Sequence, residues 1–308
     1  MAVGFQPDGI SIAQICRDKT AVPKLTACAF HSCAAAERSK ALQDIVKQHH
    51  LTGATCVSVL EHGGYQLLQV EAPDVDPLEL KAAIRWRIKD LIDFHVDDAV
   101  IDVFEMPANG PRARTMYAVA ARRPVITQRV ELLQGAGLNV HAIDIVELAG
   151  RNIAQLLPED ENGMALLQLG HGEGMITLSR QGKLYLARNL DIGVLSFGTG
   201  PAVATGNLSL AVQEDHERAF ETIALEVQRS IDYYESNFGQ APIKQLVIAP
   251  LPLPRPELAE YVTSHLGVVA RALDLNTILE SGIPLDMKLQ ANCLSAIGAA
   301  LRMEEKAL

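Results

Sequence analysis

Residues 164–189, MALLQLGHGEGMITLSRQGKLYLARN, read as three strands in succession. Met164–Leu169 and Met175–Ser179 are short apolar runs, and Lys183–Asn189 follows after the tight turn Arg180-Gln181-Gly182-Lys183, a residue set suited to a hairpin. An acidic, turn-like segment, Pro158 to Gly163, precedes this meander and marks a boundary. After it comes Gly198 to Asn207, rich in Gly, Thr and Ala and expected to form a loop. An amphipathic helix then carries Phe220, Ile223, Ala224, Val227, Ile231 and Tyr234 on one face. Gln245–Ala249 reads as a short buried strand, Glu257–Leu266 as a helix and Leu289–Arg302 as a closing apolar helix.

The first half repeats this plan of strands followed by helices. Gly9–Arg17, Lys24–Cys33, Thr55–Leu60 and Tyr65–Glu71 have strand patterning, and His62-Gly63-Gly64 is expected to close the last two into a hairpin. Ala35–His50 is helix-compatible. Asp76, Pro77 and Glu79 form a capping pattern ahead of Leu80, Ile84, Ile88 and Leu91, which predicts a helix to about Asp93. Ala99–Met106 and Thr115–Ala121 read as strands separated by the turn Ala108-Asn109-Gly110-Pro111. Pro124 opens a helix that ends at Gly135-Ala136-Gly137, and Leu138–Ile145 is a strand. The expected division is a first half over 1–160, with an inserted subdomain at about 73–146, and a second half over 161–308, with a small subdomain at about 196–240. Such a duplication is an α/β fold.

Composition sets outer limits. The chain has 308 residues, 48% apolar and 21% charged, so a large core is available. A net charge of −10 argues against nucleic acid or an anionic lipid surface as the main partner. No apolar run is long enough for a spanning helix, and Met1–Gly9 lacks the pattern of a signal peptide. The expectation is a soluble protein that stays in the cytoplasm. Cys16, Cys28, Cys33, Cys56 and Cys293 have no zinc spacing and are expected to be reduced, mostly buried thiols. The nine histidines are scattered, with His49, His50 and His62 in polar or turn segments that suggest solvated surface. No G-x-S-x-G or H-E-x-x-H motif is present.

Two similar halves, each a strand meander running into helices, resemble the actin and sugar-kinase superfamily. Its fold is a duplicated ribonuclease H-like, two-lobed α/β arrangement. Within it the chain resembles PilM-like type IV pilus assembly proteins, and among these MshI of mannose-sensitive haemagglutinin (MSHA) pilus biogenesis. The segment from Asp76 through Arg85-Trp86-Arg87 to Phe94, and the following Asp97–Val103, are similar to the family's "I-P-F" element and the strand after it. Leu138–Leu148 is similar to "V-x-x-I-D-I-E", and Leu225–Tyr234 to "E-I-x-R-S-L-D-F-F".

The resemblance implies ATP held with Mg²⁺ by two phosphate-binding hairpins and a Gly-rich adenosine turn, and each can be compared residue by residue. "G-I-D-I-G-S-S-S-V-K" is matched by Gly4 to Ala13, which puts Gln6 at the metal-side Asp, Asp8 at the loop Gly and Ala13 at the Lys, with Pro7 removing a donor. Asp8-Gly9 is either an ordinary hairpin turn or a cation-recruiting one. "D-I-G-A-S-x-T" is matched by Gln168 to Gly174, which loses the Asp and keeps Gly170, Gly172 and Gly174. Those glycines allow either an anion cradle, opposed by Glu173, or a plain β-turn. Ala249 and Pro250 replace the adenosine-turn glycines. The expectation is a rewritten cofactor site with no ATPase activity.

The resemblance also implies capture of the cytoplasmic N-terminal tail of a PilN-like inner-membrane protein, which would make the chain peripheral at the inner face of that membrane, and contact with the pilus assembly ATPase. Arg85, Trp86 and Arg87, off the core face of their helix, are candidate partner contacts, as are Arg122 and Arg123 at a strand-to-helix turn. Each could instead be a packed Trp or a solvated arginine.

Overall fold

The computed structural model describes residues 1–17, 22–107, 114–197 and 208–303. The expected turn Ala108–Pro111 and loop Gly198–Asn207 lie outside these residues. The chain divides into two compact units, Met1–Asn152 with Ser295–Leu308, and Ile153–Leu294. The sequence suggested a division at 160/161 with everything beyond it in the second half.

Unit 1 begins with β1 (Ala2–Gln6), β2 (Gly9–Cys16) and β3 (Lys24–Ser32), an antiparallel meander. Helix α1 (Arg38–Gln48) leads to β4 (Thr55–Leu60), which lies parallel to β1. The chain then forms β5 (Gln66–Glu71), α2 (Leu80–Ile88), β6 (Ala99–Glu105), β7 (Thr115–Arg122) and α3 (Arg123–Gly135). It returns as β8 (Asn139–Ile145), parallel to β4, and continues as α4 (Val146–Ala154). The main strands of this unit therefore run β3-β2-β1-β4-β8. One face of the sheet buries Val3, Phe5, Ile10 and Ile12 under Leu42, Ile45 and Val46 of α1 and Leu133 of α3. On the other, Ala2, Val57 and Val59 pack with Ala299. Strand β1 is buried on both sides, so it reads as an unbroken apolar run without the alternation of a half-exposed strand.

The expected hairpin between β4 and β5 does not form. β4 is held on both edges, by β1 and β8, so β5 has no free edge of β4 to join. The glycines instead turn the chain out of the main sheet: Gly63 has φ +80°, and Gly64 N–H donates to the Glu61 carbonyl at 3.1 Å. β5 pairs with β7 in a separate antiparallel sheet ordered β5-β7-β6.

Helix α2 covers this sheet, with Ile84 and Ile88 buried against Val70, Val103, Met116, Ala118 and Ala120. The helix is shorter than expected at both ends. Asp76 accepts from the Leu78 N–H at 2.9 Å, a local turn rather than a helix cap, and Leu91 is 57% exposed. Ile92 and Phe94 pack against the small core in its place. Helix α3 and β8, expected within the inserted subdomain, belong to the main sheet and its core.

Unit 2 repeats the plan. β9 (Met164–Leu169), β10 (Gly174–Arg180) and β11 (Lys183–Leu190) form the meander, with Gln181 (φ +52°) and Gly182 (φ +70°) in the turn. Asp160, from the acidic boundary, is buried and staples that turn, accepting from Ser179 Oγ and Gly182 N–H at 2.6 Å each. Helix α5 (Leu208–Phe238) buries the expected face: Phe220, Ile223, Ala224, Val227, Ile231 and Tyr234. β12 (Gln245–Ile248) lies parallel to β9, α6 (Pro256–Leu266) follows, and β13 (Val269–Ala272) lies parallel to β12. The order is β11-β10-β9-β12-β13. Helix α7 (Met287–Ala300) carries the chain back to unit 1. Of the cysteines, Cys56 and Cys293 are buried, Cys28 and Cys33 half-buried, and Cys16 exposed, against expectation.

Candidate functional site

The β1–β2 turn is a tight Pro7-Asp8 connection with Gln6 paired to Gly9. Its carbonyls are already engaged: Asp8 O accepts from Cys33 N–H at 3.0 Å and Ser32 Oγ at 3.1 Å, and Gln6 O from Arg38 at 2.5 Å. Gly9 is required by packing, because a Cβ there would lie 2.4 Å from the Phe30 ring and 2.5 Å from the His31 carbonyl. The Asp8 side chain is exposed at the turn's tip.

The β9–β10 turn spans Gly170-His171-Gly172-Glu173 and closes through Gly170 N–H to the Glu173 carbonyl at 2.8 Å. Its glycines do different work. A Cβ on Gly174 would meet the Ile192 carbonyl at 2.6 Å, and one on Gly193 the Gly170 carbonyl at 2.6 Å. Nothing lies within 4 Å of a Cβ on Gly172, and none of these glycines has positive φ. Gly172 is thus the one turn glycine that neither packing nor backbone conformation demands. Gln168, where the family pattern has an Asp, has a buried Nε2 without a hydrogen-bond partner. Ala249 and Pro250 are buried, and Ala249 N–H donates to the Leu167 carbonyl at 2.8 Å.

In the inserted subdomain, four of the five predicted contact residues hold the 89–99 segment or the neighbouring sheet. Arg85 donates to the Val96 carbonyl and, at 3.3 Å, to the Ala99 carbonyl. Arg122 reaches the Asp93 carboxylate at 3.3 Å and stacks over Phe94 at 4.5 Å. Arg123 donates to the Asp97 carbonyl at 3.3 Å, and Arg87 pairs with Glu71 at 3.5 Å. Trp86 differs: it is 71% exposed, with the Lys89 ammonium over its ring at 5.3 Å. Leu78, in the turn before the helix, is 95% exposed. Leu91, beyond the other end of α2, is also exposed.

Sequence patterning missed a buried polar cluster in unit 1. Tyr65 donates to the Glu147 carboxyl, and Arg302 pairs with Asp144 at 3.2 Å. Burial, partly offset by the Tyr65 hydrogen bond, pushes the Glu147 pKa up to about 7. Burial also raises Asp144, against the pull of Arg302. Asp144 lies in β8, read from the sequence as strand to Ile145, and Glu147 lies in the first turn of α4; no local pattern marks either acid as buried.

Among the described residues, no group of three or more His, Cys, Asp or Glu is arranged to hold a metal ion. No described helix is long and apolar enough to cross a membrane.

An antiparallel triplet extended by two parallel strands, present once in each unit with the same strand order, defines the actin-like fold. Residues 65–197, which include the whole small subdomain sheet, match the family model described as type IV pilus assembly protein PilM. The fold is similar to a chain of the PilM-PilN type IV pilus biogenesis complex, with a TM-score of 0.74 at 18% identity over 97% of this chain and 96% of that one. It is also similar to the cytoplasmic domain of EpsL, an inner membrane component of the type II secretion system of Vibrio cholerae, with a TM-score of 0.51 at 15% identity over 96% and 93% of the two chains. A search of the curated proteins finds no match.

Proposed function

We propose that this PilM-like chain is a cytoplasmic scaffold of a type IV pilus assembly platform of the MSHA kind, at the inner face of the inner membrane. Its task is to capture the cytoplasmic N-terminal tail of a PilN-like membrane protein and to present that complex to the assembly ATPase. The observation that carries the reading is the end-to-end similarity in fold to a chain of a PilM-PilN complex. The family match includes the inserted subdomain, which in this reading is the docking element, with exposed Trp86 as its anchor.

The scaffold does not turn over ATP in this account. Gln6 and Gln168 offer amides where Mg²⁺ needs carboxylates. Asp8 adds negative charge beside any phosphate, and buried Ala249 and Pro250 fill the adenosine turn. The residues present do not fit a Mg·nucleotide. A second reading, an actin-like protein whose nucleotide state gates tail binding, draws on Gly172, which packing leaves unexplained. A pull-down with the tail peptide of a PilN-like protein encoded beside this gene tests the scaffold. Retention of the peptide by the folded chain supports it, and no retention counts against it. Submillimolar, Mg²⁺-dependent ATP binding in calorimetry would favour the second reading.

A further inference from the structure

His31, on β3, and His49, just past the end of α1, bring their rings together with centroids 5.7 Å apart and planes at 78°. The expectation that His49 is solvated surface fails here: both side chains are half-buried, and each has a buried Nε2 with no hydrogen-bond partner. A buried ring nitrogen without a partner is costly, and native proteins rarely leave one. Two such nitrogens in neighbouring rings call for a shared third party.

Imidazole is the commonest protein ligand for borderline transition metals. Two imidazoles bound to one ion at about 2.1 Å place their ring centres roughly 5–6 Å apart, the separation found here. We propose that His31 and His49 form a two-nitrogen site for a divalent transition-metal ion of the zinc or copper class. No third His, Cys, Asp or Glu joins them among the described residues, so water completes the coordination and the affinity is modest. The absence of carboxylates selects against Mg²⁺ and Ca²⁺, which require oxygen ligands. A bound ion would tie the end of α1 to β3, adding stability to the main core of unit 1 without touching the docking subdomain.

The test uses the full chain stripped of metal with EDTA. Thermal unfolding is followed with and without Zn²⁺ for the native protein, His31→Gln and His49→Gln, with His141→Gln and His171→Gln as exposed controls. Zn²⁺ should raise the Tm of the native chain and the controls. It should bind at least about tenfold more weakly to either site variant. If a variant fails to fold, the Cu²⁺ electron paramagnetic resonance spectrum of the native chain still decides, by showing or lacking coupling to two nitrogens. An unchanged Zn²⁺ response in both site variants, or no Tm shift in the native chain, overturns the proposal. So does a Cu²⁺ spectrum without nitrogen coupling.

Discussion

Glu147 is held almost out of water beside Tyr65 and near Asp144, and its environment favours the protonated form. The sign follows from comparing its two states. Unfolded, the carboxyl ionises near its ordinary value of 4.5; folded, it keeps its proton to about 7. Its contribution to stability is therefore fully present below about pH 4.5 and is lost as the pH rises through 7. Glu147→Gln should remove that slope, an effect on the order of 3 kcal/mol. Urea unfolding at pH 5 and pH 8 measures it. Gly298 supplies a second residue-level prediction. A Cβ there would sit 2.2 Å from the Ala149 carbonyl, where the close approach lets Asn152 donate to the Gly298 carbonyl at 2.9 Å. Gly298→Ala should cost roughly 1–3 kcal/mol, read as a fall in the urea midpoint.

At the scale of elements, the β9–β10 turn holds one glycine that packing demands and one that it does not. Gly174→Ala meets backbone at 2.6 Å and should lower stability by roughly 1–3 kcal/mol, whereas Gly172→Ala meets nothing and should leave it unchanged. Thermal melts of the two variants check this. Trp86→Ala should likewise leave the melt unchanged, since the ring is mostly exposed, yet weaken tail binding by about 2 kcal/mol, roughly thirty-fold in Kd. These contrasts also mark what was legible in advance. The β9–β11 meander, the buried face of α5 and the helix at Pro124 could be read because each has its own period or punctuation. The β4–β5 hairpin was misread because pairing is decided by which edge is free, and β8, the strand that occupies it, arrives about eighty residues later. Short β13 was missed, as was β1, buried on both faces. The arginines of the candidate site were visible as residues. That all four are engaged while Trp86 stays exposed depends largely on the path of the 89–99 segment, which no local pattern sets.

On the scale of the molecule, the two units share one strand order; the first carries an additional three-stranded sheet, and the proposed loss of cofactor chemistry rests on Gln6 and Gln168 in the two units' first hairpins. In this account the fold is kept as a rigid carrier for tail recognition, while its cofactor chemistry is gone. The direct measurement is a calorimetric titration of the PilN-like tail peptide into the full chain, with and without Mg·ATP. The account predicts saturable binding that Mg·ATP leaves unchanged, with the Trp86→Ala variant markedly weaker. Binding that appears only when Mg·ATP is present, or no binding to the folded chain under either condition, would contradict it.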